Sequence, residues 1–146
     1  MKSNGNGMKR EFPSFFPQDC PPTEARPAVE NFFRLVRTDP PGDNDFRSHV
    51  ENDKRRRYPD MCKASGLSVF TKLEDIQKLK RRIAALRERQ VAKGKADPED
   101  GMVLYTPTKE EDSHHTWWLF EGVTVAKNFA VVEDDGETQN ESTRNK

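Results

Sequence analysis

Eight consecutive residues, Ser113-His114-His115-Thr116-Trp117-Trp118-Leu119-Phe120, hold both tryptophans and two of the three histidines of the chain. Trp buries a large apolar surface and usually needs a partner for its indole N–H, whereas a neutral imidazole offers one donor and one acceptor. Side chains alternate along a strand, so Trp117 and Leu119 take one face of this stretch and Thr116, Trp118 and Phe120 the other. Neither face is polar, which predicts a strand covered on both sides. His114 and His115 then stand at its start and point opposite ways, so only one of them can face a given pocket. The plainer reading of the pair is one solvated turn residue and one hydrogen-bonded cap on the sheet. The functional reading makes one imidazole an acid–base group at the mouth of a cleft.

A core that holds such a strand is small here. Of 146 residues only 32% are hydrophobic and 34% are charged, which suits one domain whose ends stay outside the core. The expected organisation is a disordered segment over 1–11, a Pro-rich arm over 12–29, one domain over 30–133 and a disordered acidic tail over 134–146. Formal charge is zero overall but unevenly placed. Residues 1–96 carry 21 Lys and Arg against 13 Asp and Glu, and residues 97–146 carry 4 against 12. Attraction between the two halves of one domain is the simplest account, with nucleic-acid binding second. Cys20 and Cys62 do not make a disulfide framework, and no stretch resembles a signal peptide or is apolar enough to span a membrane. A cytoplasmic protein with free thiols is expected. Without a close pair of metal-ligating residues, no metal site is expected.

Asn31 to Thr38 reads as the first strand, stopped by Asp39-Pro40-Pro41-Gly42. Alternation puts Phe33, Leu35 and Arg37 on one face and Phe32, Arg34 and Val36 on the other. Arg34 is thus flanked by apolar neighbours and, if held there, must meet an anion or a carboxylate; the plainer reading is an internal ion pair or a side chain that snorkels at an edge, the functional one a phosphate or carboxylate fork in a pocket. Thr71 and Glu74 form a capping-box pattern ahead of Leu73, Ile76, Leu79, Ile83 and Leu86, a stripe at helical spacing. This predicts a helix to about Val91, ended by Gly94 and Pro98. Its other face carries Lys78, Arg81, Arg82 and Arg89, first a solvated face and second a surface for an acidic protein or RNA partner. Further strands are predicted at Leu67–Phe70, Met102–Thr106 and Phe129–Glu133. The fold class expected is α+β, a small, mostly antiparallel sheet of four or five strands with one amphipathic helix packed on it.

Phosphate-binding glycine loops, zinc-protease, nucleophile-elbow and deaminase signatures are absent. The run Phe33-Arg34-Leu35-Val36, followed after a turn by Phe46-Arg47-Ser48, resembles the opening of ADP-ribosyltransferase-like domains. The resemblance implies Arg34 on the phosphates of NAD and Ser48 supporting the nicotinamide pocket. It covers the first third of the folded part. The family's usual catalytic motif, a Glu or Gln two positions before a Glu, is missing at the expected late strand, where Glu133 is not preceded by such a residue. The layout also resembles small bacterial proteins, which implies no function. Together these readings predict a domain that binds, and in the fuller version transforms, a nucleotide or other phosphate-bearing ligand. Arg34, Ser48 and Trp117 are the candidate ligand contacts, His115 and His114 the candidate catalytic groups, and NAD the candidate cofactor. The alternative is a non-enzymatic regulator or inhibitor that docks a partner through the basic helix face or the acidic loop.

Overall fold

The computed structural model describes residues 10–133. The expectations for residues 1–9 and for the tail over 134–146 lie outside the described residues. Six antiparallel strands form one sheet: β1 (Glu30–Val36), β2 (Leu67–Phe70), β3 (Gln90–Ala96), β4 (Gly101–Tyr105), β5 (His114–Leu119) and β6 (Phe129–Val131), in the order β4-β5-β2-β1-β3-β6. Two short helices, α1 (His49–Asn52) and α2 (Met61–Ala64), lie between β1 and β2, and α3 (Leu73–Arg82) follows β2. The fold is α+β, mostly sheet with one amphipathic helix.

The alternation read from β1 separates the two layers of the core. Phe32 and Val36 join Val69, Trp117, Val103 and Phe129 in the larger apolar cluster. Phe33 joins Phe70, Ile76 and Val91, with Leu35, Leu73 and Leu79 packed against them, so α3 covers the opposite face. Both tryptophans are buried. Trp118 donates its Nε1–H to the Cys62 carbonyl at 2.8 Å, whereas Trp117 Nε1, buried between Phe32 and Phe129, has no hydrogen-bond partner among the described residues.

The helix predicted to reach Val91 ends at Arg82, and Gln90–Ala96 is a strand. This is a correction with a clear cause. Ala92, Gly94 and Ala96 are small residues that alternate with Lys93 and Lys95, and all three are buried where β3 pairs with β1 from Glu30–Ala96 to Val36–Gln90. A full ladder on a central strand outweighs helical propensity. Side chains also leave no room for anything larger, since a Cβ at Gly94 would strike the Phe129 ring. The same strand brings the sheet to six members rather than four or five.

The start of α3 is corrected too. Its N-cap is Lys72, and Thr71 makes no capping box. Ser113, the first residue of the aromatic octet, fastens this turn instead: its Oγ accepts from Lys72 N at 3.1 Å and its N–H donates to the buried Asp75 carboxylate at 2.8 Å.

Cys20 and Cys62 form a disulfide with Cα atoms 5.5 Å apart, which overturns the expectation of free thiols. Their spacing of 42 residues hides a meeting that only the tertiary fold creates. The bond ties the arm to α2. Elsewhere the arm docks through Phe12 against Phe120, with ring centroids 5.0 Å apart, and through a backbone bridge between Arg26 and Val103. No helix among the described residues is long and apolar enough to cross a membrane.

Candidate functional site

β1 and β2 are sheet neighbours with a single register pair, Phe33 opposite Phe70. Continuing that register would place Leu35 opposite Ser68, but the strands part before it. The guanidinium of Arg34 fills the opening. Its Nη1 donates to the Ser68 carbonyl at 2.8 Å and its Nε to the Asp45 carbonyl at 2.9 Å, and Nη2 reaches the Arg47 carbonyl at 3.4 Å. The Phe46 ring lies 5.5 Å from its central carbon. The partner expected for Arg34 was an anion or a carboxylate, yet backbone carbonyls serve it. The carbonyls of Ser68, Asp45 and Arg47 converge on the guanidinium, and a planar fork with five N–H groups matches them. Burial lowers the Arg34 pKa to about 10, opposed by attraction to Asp45. Burial also disfavours ionisation of Asp45, but hydrogen bonds from Thr38, Gly42 and Arg37 hold its carboxyl below the ordinary carboxylate value.

Beside this split opens a cleft of about 520 Å³ whose floor is β1 and β2 and whose rims are α1, the end of α3 and the loop before β5. Five arginines line it, Arg34, Arg37, Arg47, Arg82 and Arg89, together with His49, His114, Ser48 and Ser68. Glu111 is the one carboxylate in the lining, and it is occupied. Arg82 Nη2 contacts both Glu111 oxygens at 2.9 Å, and Thr108 braces the carboxylate. Among the described residues none of the other four arginines makes an ion pair. The crowding is felt by its members. Burial lowers the Arg89 pKa and Arg37 lowers it further; burial lowers that of His49, with Arg34 and Arg56 adding to the effect.

Ser48 caps α1. Its Oγ accepts from Glu51 N at 3.2 Å while Ser48 N donates to the Glu51 side chain at 2.9 Å, which fixes the serine at the cleft wall. His114 stands at the start of β5, and its Nε2 lies 2.9 Å from Ser68 Oγ. Its Nδ1 is 2.8 Å from the Thr106 carbonyl. Burial lowers the His114 pKa against the opposing bond to Thr106, and repulsion from Lys63 and His115 acts in the same direction as burial.

Of the residues singled out from the sequence, Arg34, Ser48 and His114 therefore share one cleft. His115 and Trp117 lie on the other face of the sheet. His115 Nδ1 is held 2.8 Å from the Ser113 carbonyl and its ring packs on Phe32 and Tyr105, while Trp117 belongs to the core. The basic helix face divides: Arg82 and Arg89 turn to the cleft, whereas Lys78 sits 3.9 Å from Asp75 and the Arg81 carbonyl accepts from Arg87. Glu133 borders a separate depression with Lys80 and Arg81. Arg37, Arg47, His49, Ser68 and Glu111 were not anticipated as site residues. Ser68 alone carried a readable signal, a lone polar residue in the apolar run Leu67-Ser68-Val69-Phe70. Comparison with protein-family models, with curated proteins and with solved structures returns no match.

Proposed function

We propose that the cleft binds a phosphate-bearing ligand of nucleotide size. Arg37, Arg47 and Arg89 serve as its anion contacts, Arg34 as the pin that shapes the floor, and His114 as the acid–base group. The observation that carries this reading is the gathering of arginines without carboxylate partners around one half-apolar cleft. Asp45 attracts Arg34 and Arg89 without an ion pair, so a bound polyanion adds the direct compensation these like charges do not have, and guanidinium forks suit phosphate oxygens. Leu35, Leu79, Ile83 and Leu86 offer an apolar wall on which a base or nicotinamide ring can rest. NAD is the ligand implied by the resemblance to ADP-ribosyltransferase-like domains. Arg34 and Ser48 lining the same cleft supports it, and the distance of Glu133 from that cleft counts against its fuller form. The disulfide counts against the cytoplasmic setting expected from the sequence, because such bonds persist in oxidising compartments.

The alternative of a partner-binding regulator draws on Lys78, Arg81, Arg82 and Arg89 as one surface. With two of the four turned into the cleft, the small-ligand reading is favoured.

The test is a thermal-shift panel of NAD, ADP-ribose, nucleoside phosphates and pyrophosphate against wild type and an Arg47→Ala, Arg89→Ala double variant. A ligand at about 100 times its Kd adds ~2.7 kcal/mol, or several degrees in a domain this size. The expected result is a shift for at least one ligand that the double variant loses. A flat panel with folded protein refutes the reading.

A further inference from the structure

Ser68 and His114 are placed for chemistry that binding alone does not need. On the antiparallel pair β2–β5, Phe70 faces His114 and Ser68 faces Thr116, so Ser68 and His114 are diagonal neighbours on one face of the sheet. The Thr106 carbonyl, 2.8 Å from His114 Nδ1, can only accept, so Nδ1 carries the proton of the neutral ring. Nε2 is then an acceptor, and at 2.9 Å the Ser68 hydroxyl donates to it. A second tether fixes the ring: Thr106 Oγ1 lies 3.0 Å from Nδ1 and 2.8 Å from Thr116 Oγ1. Edge-on packing of Phe70, with centroids 5.2 Å apart, limits rotation of the ring. On the serine side, Arg34 Nη1 holds the Ser68 carbonyl. The result is a hydroxyl, a base that accepts from it and an acceptor that orients the base, on neighbouring central strands, with Ser68 and His114 open to a cationic cleft.

We propose that Ser68 is a nucleophile toward phosphoesters, with His114 as its general base; this deepens the reading of the cleft as a phosphate site. In the first step Ser68 Oγ bonds to phosphorus and the bond from phosphorus to the leaving oxygen breaks. The Ser68 proton passes to His114 Nε2 and from there to the leaving alcohol. In the second step water, deprotonated by His114, attacks phosphorus, the Oγ–P bond breaks and the proton returns to Ser68. The arginines of the cleft face the charge on the non-bridging oxygens. No oxidant, reductant or further co-reactant is required.

The test uses a fluorophosphonate, which forms the same Oγ–P bond with fluoride as the leaving group and needs no knowledge of the natural ligand. The full chain is incubated with the probe and the adduct is mapped by mass spectrometry. One adduct per chain at Ser68 is expected. His114→Gln should slow it by on the order of 100-fold or more, and Ser14→Ala, on the arm, should leave it unchanged. Turnover of bis(4-nitrophenyl) phosphate in preference to 4-nitrophenyl acetate is the second expected result. No adduct at Ser68, an adduct spread over several serines, or labelling indifferent to His114→Gln overturns the proposal, and turnover of the acetate alone overturns the phosphoester class. Mapping on wild type needs no variant to fold. A nucleotide-induced thermal shift without labelling removes the nucleophile and keeps the binding site; labelling without a shift does the reverse.

Discussion

Arg34 Nη1 donates to the Ser68 carbonyl at 2.8 Å, across the point where β1 and β2 part company after their one register pair. A strand normally satisfies such a carbonyl with a neighbouring N–H, and here a side chain from that neighbour takes the place of its backbone. The same guanidinium reaches the carbonyls of Asp45 and Arg47, so one residue joins β1, β2 and the segment before α1. Arg34→Met leaves those acceptors unserved and should cost about 3 kcal/mol, since bonds to charged groups are the stronger ones and orphaned acceptors keep their desolvation penalty. Arg34→Lys should restore less than half, because an ammonium cannot span three diverging carbonyls. Urea unfolding of the two variants against wild type measures both values.

Acid should weaken the domain in two separate windows. His114 and His49 both have folded pKa values below the ordinary 6.5, through burial first and then neighbouring cations. The unfolded chain therefore takes up these protons at higher pH than the folded one. Stability from this source is complete above the unfolded value and is lost as pH falls through the depressed folded values. Thermal midpoints should drop as pH falls below the ordinary imidazole value of 6.5, and His114→Gln should flatten that drop. Asp45 and Asp75 are held below the ordinary 3.8 by hydrogen bonds that outweigh their burial, so their contribution is lost only at more acid pH.

Reduction should loosen the arm. Closing a 42-residue separation limits the unfolded chain, and the loop-entropy relation gives about 4 kcal/mol for a bridge of that span. Dithiothreitol, or Cys20→Ser, should lower the unfolding free energy by up to that amount. Limited proteolysis should then cut first between residues 12 and 28.

Gly101 is tightly boxed at the start of β4, where a Cβ would collide with the Trp118 carbonyl. Backbone cannot yield as a flexible side chain can. Gly101→Ala should therefore cost roughly 1–3 kcal/mol by the usual penalty for overpacking. The change should register in tryptophan fluorescence as well as in the unfolding midpoint, because the strain falls on β5.

The two-layer core was legible because period-two patterns in β1 and β5 are strong local signals: Phe32 and Phe33 went to opposite clusters as alternation required. β3 was not, because the helical stripe from Leu73 runs into it. Ile83 and Leu86 keep the helical spacing while lying in and beside a 3-10 turn, and the small buried residues Ala92, Gly94 and Ala96 resemble a helix surface until β1 is seen beside them. The site divides in the same way. Arg34 and His114 drew notice because each was a polar residue in an apolar setting. Arg47 and His49 lie in a loop and a short helix, and only the tertiary fold carries them to the cleft. Nothing local marks the meeting of Cys20 with Cys62, which are joined through the path of the arm.

The most direct measurement follows the imidazole resonances of the three histidines by NMR across a pH titration, with and without pyrophosphate. His49 and His114 line the cleft, whereas His115 packs on Phe32 on the other face of the sheet. If the cleft takes a phosphate-bearing ligand, pyrophosphate offsets the arginine charges and the pKa values of His49 and His114 rise together relative to the ligand-free protein. If the protein stays folded and neither His49 nor His114 responds, the cleft is not a phosphate site.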